Sequence, residues 1–212
     1  MDIILKSVSK VINHTTVLDD ISCQFSSGNI YGVVGRNGSG KTMLLRTIAG
    51  LLVPTSGTVV INGKRLHKDI SFPPNLGLII EKPEFLSYLT GFENLKQIAA
   101  IKKVASDETI KEYMKLFALD PASKHTMRKY SLGMKQKIGI IQALMENPDI
   151  LVLDEPFNAL DEQSVLLLRD LLLQRKEEGK LIIITSHNKE DIETICNEVI
   201  FLKNGKMISQ EV

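Results

Sequence analysis

The residues best suited to chemistry lie in a glycine-rich segment near the start of the chain, GRNGSGKT. The segment fits the spacing G-x-x-x-x-G-K-[ST] in full and contains one additional glycine. Glycines let backbone N–H groups converge on phosphate oxygens, and a helix that begins there directs its positive end towards the same anion. A nucleotide phosphate site is therefore predicted at Gly35, Arg36, Asn37, Gly38, Ser39, Gly40, Lys41 and Thr42.

Two residues at the end of this segment have roles that follow from their functional groups. The ammonium group of Lys41 is expected to bind the β and γ phosphates of ATP, and the hydroxyl of Thr42 is expected to bind Mg²⁺. An ordinary glycine-rich turn between a strand and a helix is the alternative. The apolar strand predicted at 30–34 and the helix-like segment MLLRTIAG favour the phosphate site.

Three further polar residues follow apolar runs that are typical of buried strands. Asp154 and Glu155 come directly after ILVL, and His187 follows LIIITS. Asp154 is expected to be a second ligand of Mg²⁺, and Glu155 is expected to polarise the water that attacks the γ-phosphate. His187 is expected to hydrogen-bond the γ-phosphate. Solvated acids at a strand end and a structural histidine are the alternative interpretations.

Short apolar runs separated by helical patterns indicate the fold class. IYGVVG, LGLII, ILVLDE and LIIITSH are continuous apolar runs, as in parallel strands that are buried on both faces. In ISCQF the apolar residues alternate with polar ones, and two more strands are predicted at 2–6 and 57–61. Helices are predicted at 41–50, 91–102, 107–117, 133–146, 162–177 and 189–196. The alternation predicts an α/β fold with a mainly parallel core sheet, an antiparallel β portion near the N-terminus and a helical insertion around 90–130.

Composition narrows the range of partners and compartments. The 26 Lys and Arg residues nearly balance the 25 Asp and Glu residues, so the net charge of +1 gives no long-range field that favours nucleic acid. Cys23 and Cys196 are too few for the disulfide framework of a secreted protein. No apolar run approaches the roughly 20 residues that span a bilayer. A cytoplasmic protein is expected, with any membrane role exerted through another chain.

The order of these segments resembles that of an ABC-type ATPase, the nucleotide-binding subunit of an ABC transporter. The family's LSGGQ signature has its counterpart in YSLGM at 130–134, followed by the basic segment KQK. The resemblance covers the whole chain and implies a P-loop nucleoside triphosphatase fold in a single domain, 1–212. It further implies a catalytic core at 1–80 and 147–212 and a helical subdomain at 84–146 that carries the signature.

The family's pattern implies that the signature acts on a second subunit. In ABC ATPases it faces the P-loop of a partner, so that ATP is bound between two chains. Ser131 and the amide groups near Gly133 are then expected to bind phosphates of the partner's nucleotide, a role suited to a helix N-terminus. Asp161, in the D-loop NALDE, is expected to join the same nucleotide-binding interface. Ser131 is also expected to cap its own helix.

The sequence departs from the family's pattern at several positions. Leu132 and Met134 stand where glycine and glutamine are usual, which removes one polar contact to the nucleotide. Glu81 occupies the place of the Q-loop glutamine, where it can bind Mg²⁺ or its water but adds negative charge. Ile12 replaces the aromatic residue that commonly stacks on the base, and it is expected to pack on adenine. Asn158 replaces the early serine of the D-loop.

The function implied by the resemblance is that of a transporter motor. Two ATPase subunits, identical or paralogous, are expected to bind two molecules of ATP with Mg²⁺, hydrolyse them and drive a separate membrane permease from the inner face of the cell membrane. The segment 82–95 is expected to contact that permease through Phe85, Leu86, Tyr88, Leu89 and Phe92. The departures from the family's pattern are most similar to those of bacitracin and lantibiotic exporter subunits, which implies export of a drug or peptide.

Three other functions are open to a chain of this type. A non-transport ABC ATPase of translation or chromosome maintenance typically has two fused ATPase halves or a long coiled coil, and the sequence contains neither. A regulatory nucleotide sensor without turnover would not need Lys41, Asp154, Glu155 and His187 together. A P-loop kinase would need an acceptor site and a lid, and it would leave the signature unexplained.

Overall fold

The computed structural model describes residues 1–81 and 83–211, apart from the side chains of residues 189, 210 and 211. The strands of this part of the chain are β1 (Asp2–Ile12), β2 (Thr15–Ser26), β3 (Asn29–Val34), β4 (Ser56–Ile61), β5 (Lys64–Arg65), β6 (Leu76–Ile79), β7 (Ile150–Leu153), β8 (Leu181–Thr185), β9 (Glu198–Lys203) and β10 (Lys206–Glu211). Its α-helices are α1 (Lys41–Ile48), α2 (Gly91–Lys102), α3 (Asp107–Leu116), α4 (Leu132–Leu144), α5 (Glu162–Glu177) and α6 (Lys189–Ile195). A short 3₁₀ helix, Met127–Lys129, precedes α4.

Six strands form the main sheet, in the order β10-β9-β3-β8-β7-β6. Neighbouring strands are parallel except β10 and β9, which are antiparallel. All residues of β7 and β8 are buried, which explains their continuous apolar sequences. Because parallel strands have their carboxyl ends at one edge of a sheet, the segments that follow β3, β7 and β8 meet there. The predicted α/β fold with a mainly parallel core sheet is confirmed.

A second, antiparallel sheet of order β2-β1-β4-β5 forms near the N-terminus, as predicted. Its strands are longer than the sequence pattern indicates, since β1 continues to Ile12 and β2 already begins at Thr15. A register shift between Leu5 and Val8, with Ser7 at a φ of 47°, interrupts the alternation of buried and exposed positions. This bulge hides the second half of β1 from a period-2 analysis.

The hairpin of β9 and β10 lies outside the strands predicted from the sequence. Its turn consists of Asn204 and Gly205, with φ values of 49° and 79°. An Asn-Gly pair between apolar residues is a strong hairpin signal, and it is present in FLKNGKMI. The N–H of Asp19 in β2 donates to the Gly205 carbonyl oxygen at 2.8 Å, so this turn also joins the two sheets.

The helical insertion between β6 and β7 consists of α2, α3 and α4. Each of these helices begins at a side-chain cap, because Thr90, Ser106 and Ser131 accept hydrogen bonds from backbone N–H groups of the first turn. The insertion continues through the whole signature helix to residue 144, beyond the approximate end at 130 that the alternation of strands and helices predicts. The predicted bounds of α2 and α5 agree with the structure, whereas α1 and α4 end two residues before the predicted positions.

The proposed division into a core and a helical subdomain stays a prediction, and its last residue, Val212, lies outside the described part of the chain. None of the helices in residues 1–81 and 83–211 is long and apolar enough to cross a membrane. Cys23 and Cys196 are free thiols. Burial raises the pKa of each to about 12, which disfavours the thiolate form.

Gly77 of β6 makes a close contact between the main sheet and the signature helix. A Cβ atom there would lie 2.2 Å from the Ala143 carbonyl oxygen and 2.7 Å from Pro148 Cγ. We expect Gly77→Ala to lower the free energy of unfolding by about 2 kcal/mol or more, because rigid backbone opposes the added methyl group. Urea unfolding measures the change.

Gly28→Ala is the matched control, because Gly28 has a φ of 77° and a Cβ atom there would have open space around it. Gly28→Ala should lower the free energy of unfolding by only about 1 kcal/mol, because its one unfavourable effect is to place alanine in the left-handed conformation. A smaller loss for Gly77→Ala than for Gly28→Ala would contradict the packing argument.

Candidate functional site

The glycine-rich segment forms a loop between β3 and α1, and its backbone is shaped to bind an anion. Gly38 and Gly40 have φ values of 77° and 106°, a region that favours glycine. A Cβ atom on Gly35 would lie 2.4 Å from the Leu202 carbonyl oxygen, which excludes any side chain. Gly40 caps α1 without a side-chain acceptor, and the first turn of α1 has no acidic residue. The first amide groups of α1 are therefore left for a ligand.

Lys41 holds its positive charge at this loop instead of extending it into solvent. The residue is buried, and its Nζ donates a hydrogen bond to the Gly35 carbonyl oxygen at 2.8 Å. The loop thus combines a buried ammonium group with the N-terminus of a helix, and both favour the binding of a phosphate.

The carboxylate of Asp154 joins the loop to the main sheet. Thr42 Oγ1 donates to Asp154 Oδ2, and Thr185 Oγ1 donates to Asp154 Oδ1, each at 2.7 Å. Thr185 also accepts a hydrogen bond from the Glu155 N–H at 2.8 Å. Sequence reasoning missed Thr185. Its signal is a polar residue at the carboxyl end of a buried strand that neighbours the strand of Asp154 and Glu155.

Glu155 and His187 face each other at the ends of β7 and β8. His187 Nε2 lies 3.0 Å from Glu155 Oε1, and the His187 N–H donates to Glu155 Oε2 at 3.1 Å. The backbone of Glu155 is left-handed, with a φ of 52°. Burial raises the pKa of Glu155 above its ordinary value, although the charges of His187 and Lys41 oppose the shift. A carboxylate with a raised pKa beside a positioned histidine is suited to general-base chemistry.

These groups line one open cleft of about 630 Å³. The predicted site residues in its lining are Ile12, Asn37, Gly38, Ser39, Gly40, Lys41, Thr42, Glu81, Asp154, Glu155 and His187. Gly35 and Arg36 instead line an adjacent cleft of about 510 Å³, which the loop forms with the β9–β10 hairpin. The tertiary structure thus brings most of the predicted residues together from five separate segments of the chain.

Three further predicted residues line neither of these two clefts: Ser131, Gly133 and Asp161. Ser131 caps α4 by accepting a hydrogen bond from the Met134 N–H at 3.2 Å. A Cβ atom on Gly133 would lie 2.5 Å from the Ala159 carbonyl oxygen, so the signature packs on the D-loop of its own chain. Asp161 caps α5, and its pKa lies well below the usual range because its carboxylate binds Lys137 and Ser164.

Two buried residues of α4 join the signature to the catalytic segment. Gln136 Nε2 donates to the Pro156 carbonyl oxygen at 3.0 Å and lies 3.4 Å from the Glu155 carbonyl oxygen. Lys137 Nζ donates to Asp161 Oδ2 at 2.7 Å. Sequence reasoning noted the basic segment KQK without assigning roles to these residues, because the sequence gives no indication that their partners lie beyond residue 150.

The oxygen atoms of the cleft are of the type that Mg²⁺ prefers. The Thr42 hydroxyl and the Asp154 carboxylate lie in contact, and the Glu81 carboxylate lines the same cleft. Among residues 1–81 and 83–211, no group of three or more His, Cys, Asp or Glu side chains is placed to hold a metal by itself. A metal at this position would complete its ligands with phosphate oxygens and water, which fits a Mg²⁺–nucleotide complex.

A phosphate loop that opens a helix and faces two acids at the carboxyl end of a parallel sheet defines a P-loop nucleoside triphosphatase. A family model described as ABC transporter matches residues 18–158, more than half of the chain. The chain belongs to the ABC transporter family, as an ATP-binding subunit with ATPase activity.

Individual relatives agree with this assignment. The chain is 50% identical over 205 residues to an uncharacterized ABC transporter ATP-binding protein, YybJ, of Bacillus subtilis, covering 97% of the chain and 94% of that protein. It is 35% identical to the bacitracin transport ATP-binding protein BcrA of Enterococcus faecalis, covering 97% of the chain and 67% of BcrA. Among solved structures, a dimeric bacterial ABC transporter cassette is 26% identical with a TM-score of 0.85, covering 99% of the chain and 97% of the cassette.

The raised pKa of Glu155 predicts how the stability of the folded chain depends on pH. The Glu155 carboxyl has a higher pKa in the folded chain than in the unfolded chain. Its contribution to the free energy of unfolding is therefore most favourable below the unfolded-state pKa and is lost as the pH rises through the folded-state pKa. We therefore expect Glu155→Gln to raise the melting temperature at pH 7 to 8 by roughly 1–3 °C. The gain should disappear towards pH 4.

Thermal unfolding without nucleotide, repeated across this pH range, measures the effect. Glu84→Gln changes an exposed carboxylate and should leave the melting temperature almost unchanged at every pH. A gain for Glu155→Gln that does not depend on pH would contradict the assigned cause.

Proposed function

We propose that the chain is one half of a transporter motor, in which two ATPase subunits bind two molecules of ATP with Mg²⁺ and drive a separate permease. One observation carries this proposal. The phosphate loop faces Asp154, Glu155 and His187 in a single cleft, whereas Ser131 and Gly133 of the signature lie outside it. One chain therefore provides the groups for hydrolysis, and a second copy would provide the signature.

Each group in the cleft has a role that follows from its position. Lys41 and the first amide groups of α1 bind phosphate oxygens and offset their charge. Thr42 and Asp154 would hold Mg²⁺, which when bound neutralises charge that develops on the phosphates. Glu155 orients a water molecule and accepts its proton at a carboxylate oxygen while the water oxygen bonds to the γ-phosphorus and the bond to the β–γ bridging oxygen breaks. His187, placed beside Glu155, hydrogen-bonds the γ-phosphate.

Replacing the proposed base separates binding from hydrolysis. Glu155→Gln should reduce steady-state phosphate release by at least about 100-fold, because the water is no longer activated. ATP affinity should remain close to that of the parent, because the phosphate loop is unchanged, and ATP should trap a dimer that size-exclusion chromatography detects. Hydrolysis at the parent rate would show that Glu155 is not the catalytic carboxylate.

The signature is proposed to act on the nucleotide of the second subunit. Ser131 and the exposed Leu132 stand at the N-terminus of α4, where backbone N–H groups and the helix dipole favour an anion. No residue of the signature lines the cleft of the same chain, among the residues that the structure describes. The dimeric form of the similar ABC cassette supports a dimer for this chain as well.

Linked dimers test whether Ser131 serves its own chain or the other. In one arrangement, one chain carries Lys41→Ala and its partner carries Ser131→Arg. In the second arrangement, one chain carries both changes and its partner carries none. If each site pairs Lys41 of one chain with Ser131 of the other, the first arrangement places both defects in one site and leaves the other site intact, while the second arrangement damages both.

Occlusion of labelled ATP in a Glu155→Gln background measures intact sites without requiring hydrolysis. The first arrangement should retain about one nucleotide per linked dimer, and the second should retain nearly none. Greater occlusion by the second arrangement would overturn the assignment of the signature to the partner's nucleotide.

A groove beside β6 is the proposed contact for the permease. Its lining residues are Leu51, Leu78, Ile79, Ile80, Pro83, Glu84, Gly139 and Gln142. Residue 82, at the start of the predicted segment 82–95, lies outside the described residues. Leu86 and Tyr88 are exposed, whereas Phe85 and Phe92 pack partly against the core. The exposed Leu51 lines the groove, and the exposed Leu86 and Tyr88 belong to the predicted segment, which supports a docking surface for the permease. Docking there would place the chain at the inner face of the membrane.

Contact with the base, the transported cargo and the identity of the second subunit are further parts of the proposal. Ile12 is partly exposed and lines the nucleotide cleft, which supports its predicted contact with adenine. Export of a drug or peptide is supported by the 35% identity to BcrA, a bacitracin transport ATP-binding protein. The second ATPase subunit is proposed to be an identical copy, and identifying the ATPase subunits of the complex isolated from detergent-solubilised membranes tests this against a paralogue.

A further inference from the structure

Glu81 introduces a carboxylate at a position where the family's pattern has a neutral amide. It lies just beyond β6, with a φ of 58° and a side chain that is 57% exposed. The residue lines the nucleotide cleft together with Lys41, Thr42 and Asp154. The cleft therefore contains three carboxylates, those of Glu81, Asp154 and Glu155, where a triphosphate must also bind.

Arg46 offsets the charge of Glu81. Arg46 Nη2 lies 2.9 Å from Glu81 Oε1, and its side chain is 35% exposed. Arg46 follows Thr42 by four residues in α1, so both side chains project from the same face of the helix. Helix α1 thus carries both the proposed metal ligand Thr42 and Arg46, which binds the second candidate metal ligand, Glu81.

The ion pair of Arg46 and Glu81 contributes little free energy, so Glu81 can leave Arg46 for another cation. Ion pairs between partly exposed side chains typically contribute about 0–1 kcal/mol, because water screens both charges. A divalent cation held by Thr42 and Asp154 would carry twice the charge of Arg46 and would attract the same carboxylate oxygens. The Oε1 atom of Glu81 cannot contact Arg46 and coordinate the metal equally well at the same time.

From this geometry we propose that Arg46 competes with the divalent cation for Glu81 and thereby sets the Mg²⁺ concentration at which the nucleotide binds. The inference rests on the proposed Mg²⁺–nucleotide site. Glu81 exchanges between Arg46 and the metal or its bound water, and Arg46 reduces the repulsion between Glu81 and the triphosphate when no metal is bound. A glutamine at position 81 could not take part in this exchange, because it carries no charge.

The test measures binding of a fluorescent, non-hydrolysable ATP analogue during a Mg²⁺ titration. Arg46→Met should lower the Mg²⁺ concentration for half-maximal binding about threefold, because Glu81 is released for the metal, and should weaken binding of the analogue in the presence of EDTA. Arg46→Lys keeps the charge and should stay close to the parent. Lys96→Met breaks an exposed ion pair with Asp107 in the helical insertion, outside the cleft, and should change neither value.

Glu81→Gln provides the decisive background. If Arg46 acts through Glu81, adding Arg46→Met to Glu81→Gln should leave the Mg²⁺ dependence unchanged. The same threefold shift in both backgrounds, or an Arg46→Met variant that needs as much Mg²⁺ as the parent or more, would overturn the proposal. Failure of the proposed site itself gives a different result, since the unsubstituted protein would then show no Mg²⁺-dependent binding of the analogue.

Discussion

The hydrogen bonds of one buried carboxylate, that of Asp154, hold the nucleotide cleft together. Asp154 accepts hydrogen bonds from Thr42 at the start of α1 and from Thr185 at the end of β8. These contacts fix the phosphate loop against two strands of the main sheet. The same Thr185 hydroxyl accepts the Glu155 N–H, so the position of the proposed base depends on this network as well. Buried polar groups of this kind are costly when unpaired, which favours a single arrangement of the cleft.

A second set of contacts joins the signature helix α4 to the segment that follows β7. Gln136 binds the Pro156 carbonyl oxygen and Lys137 binds the Asp161 carboxylate, while Gly133 allows the signature to pack on the D-loop. Under the proposed dimer, the element that contacts the partner's nucleotide is therefore attached by these contacts to the segment that carries the chain's own Glu155. This attachment offers a direct physical route by which two sites can influence each other.

The cleft also contains features that reduce stability. Glu155 is a partly buried carboxylate with a raised pKa and a left-handed backbone, and the raised pKa and the backbone conformation both oppose folding at neutral pH. Glu81 adds further negative charge, which Arg46 offsets from α1. Such costs concentrate at functional sites because chemistry needs charged groups that are desolvated and positioned.

The sequence by itself determined the phosphate loop, the buried parallel strands, most of the helices and the acids at the strand ends, because each depends on local spacing. It did not determine the course of β1 beyond its bulge. Although the Asn-Gly turn of the β9–β10 hairpin was visible, its strands were not predicted. Only the tertiary structure decided the partners of Asp154, Arg46 and Gln136. Thr42 and Asp154 are separated by 112 residues, and Arg46 and Glu81 by 35. Contacts over such separations follow from strand order and helix packing, which no short window of residues encodes.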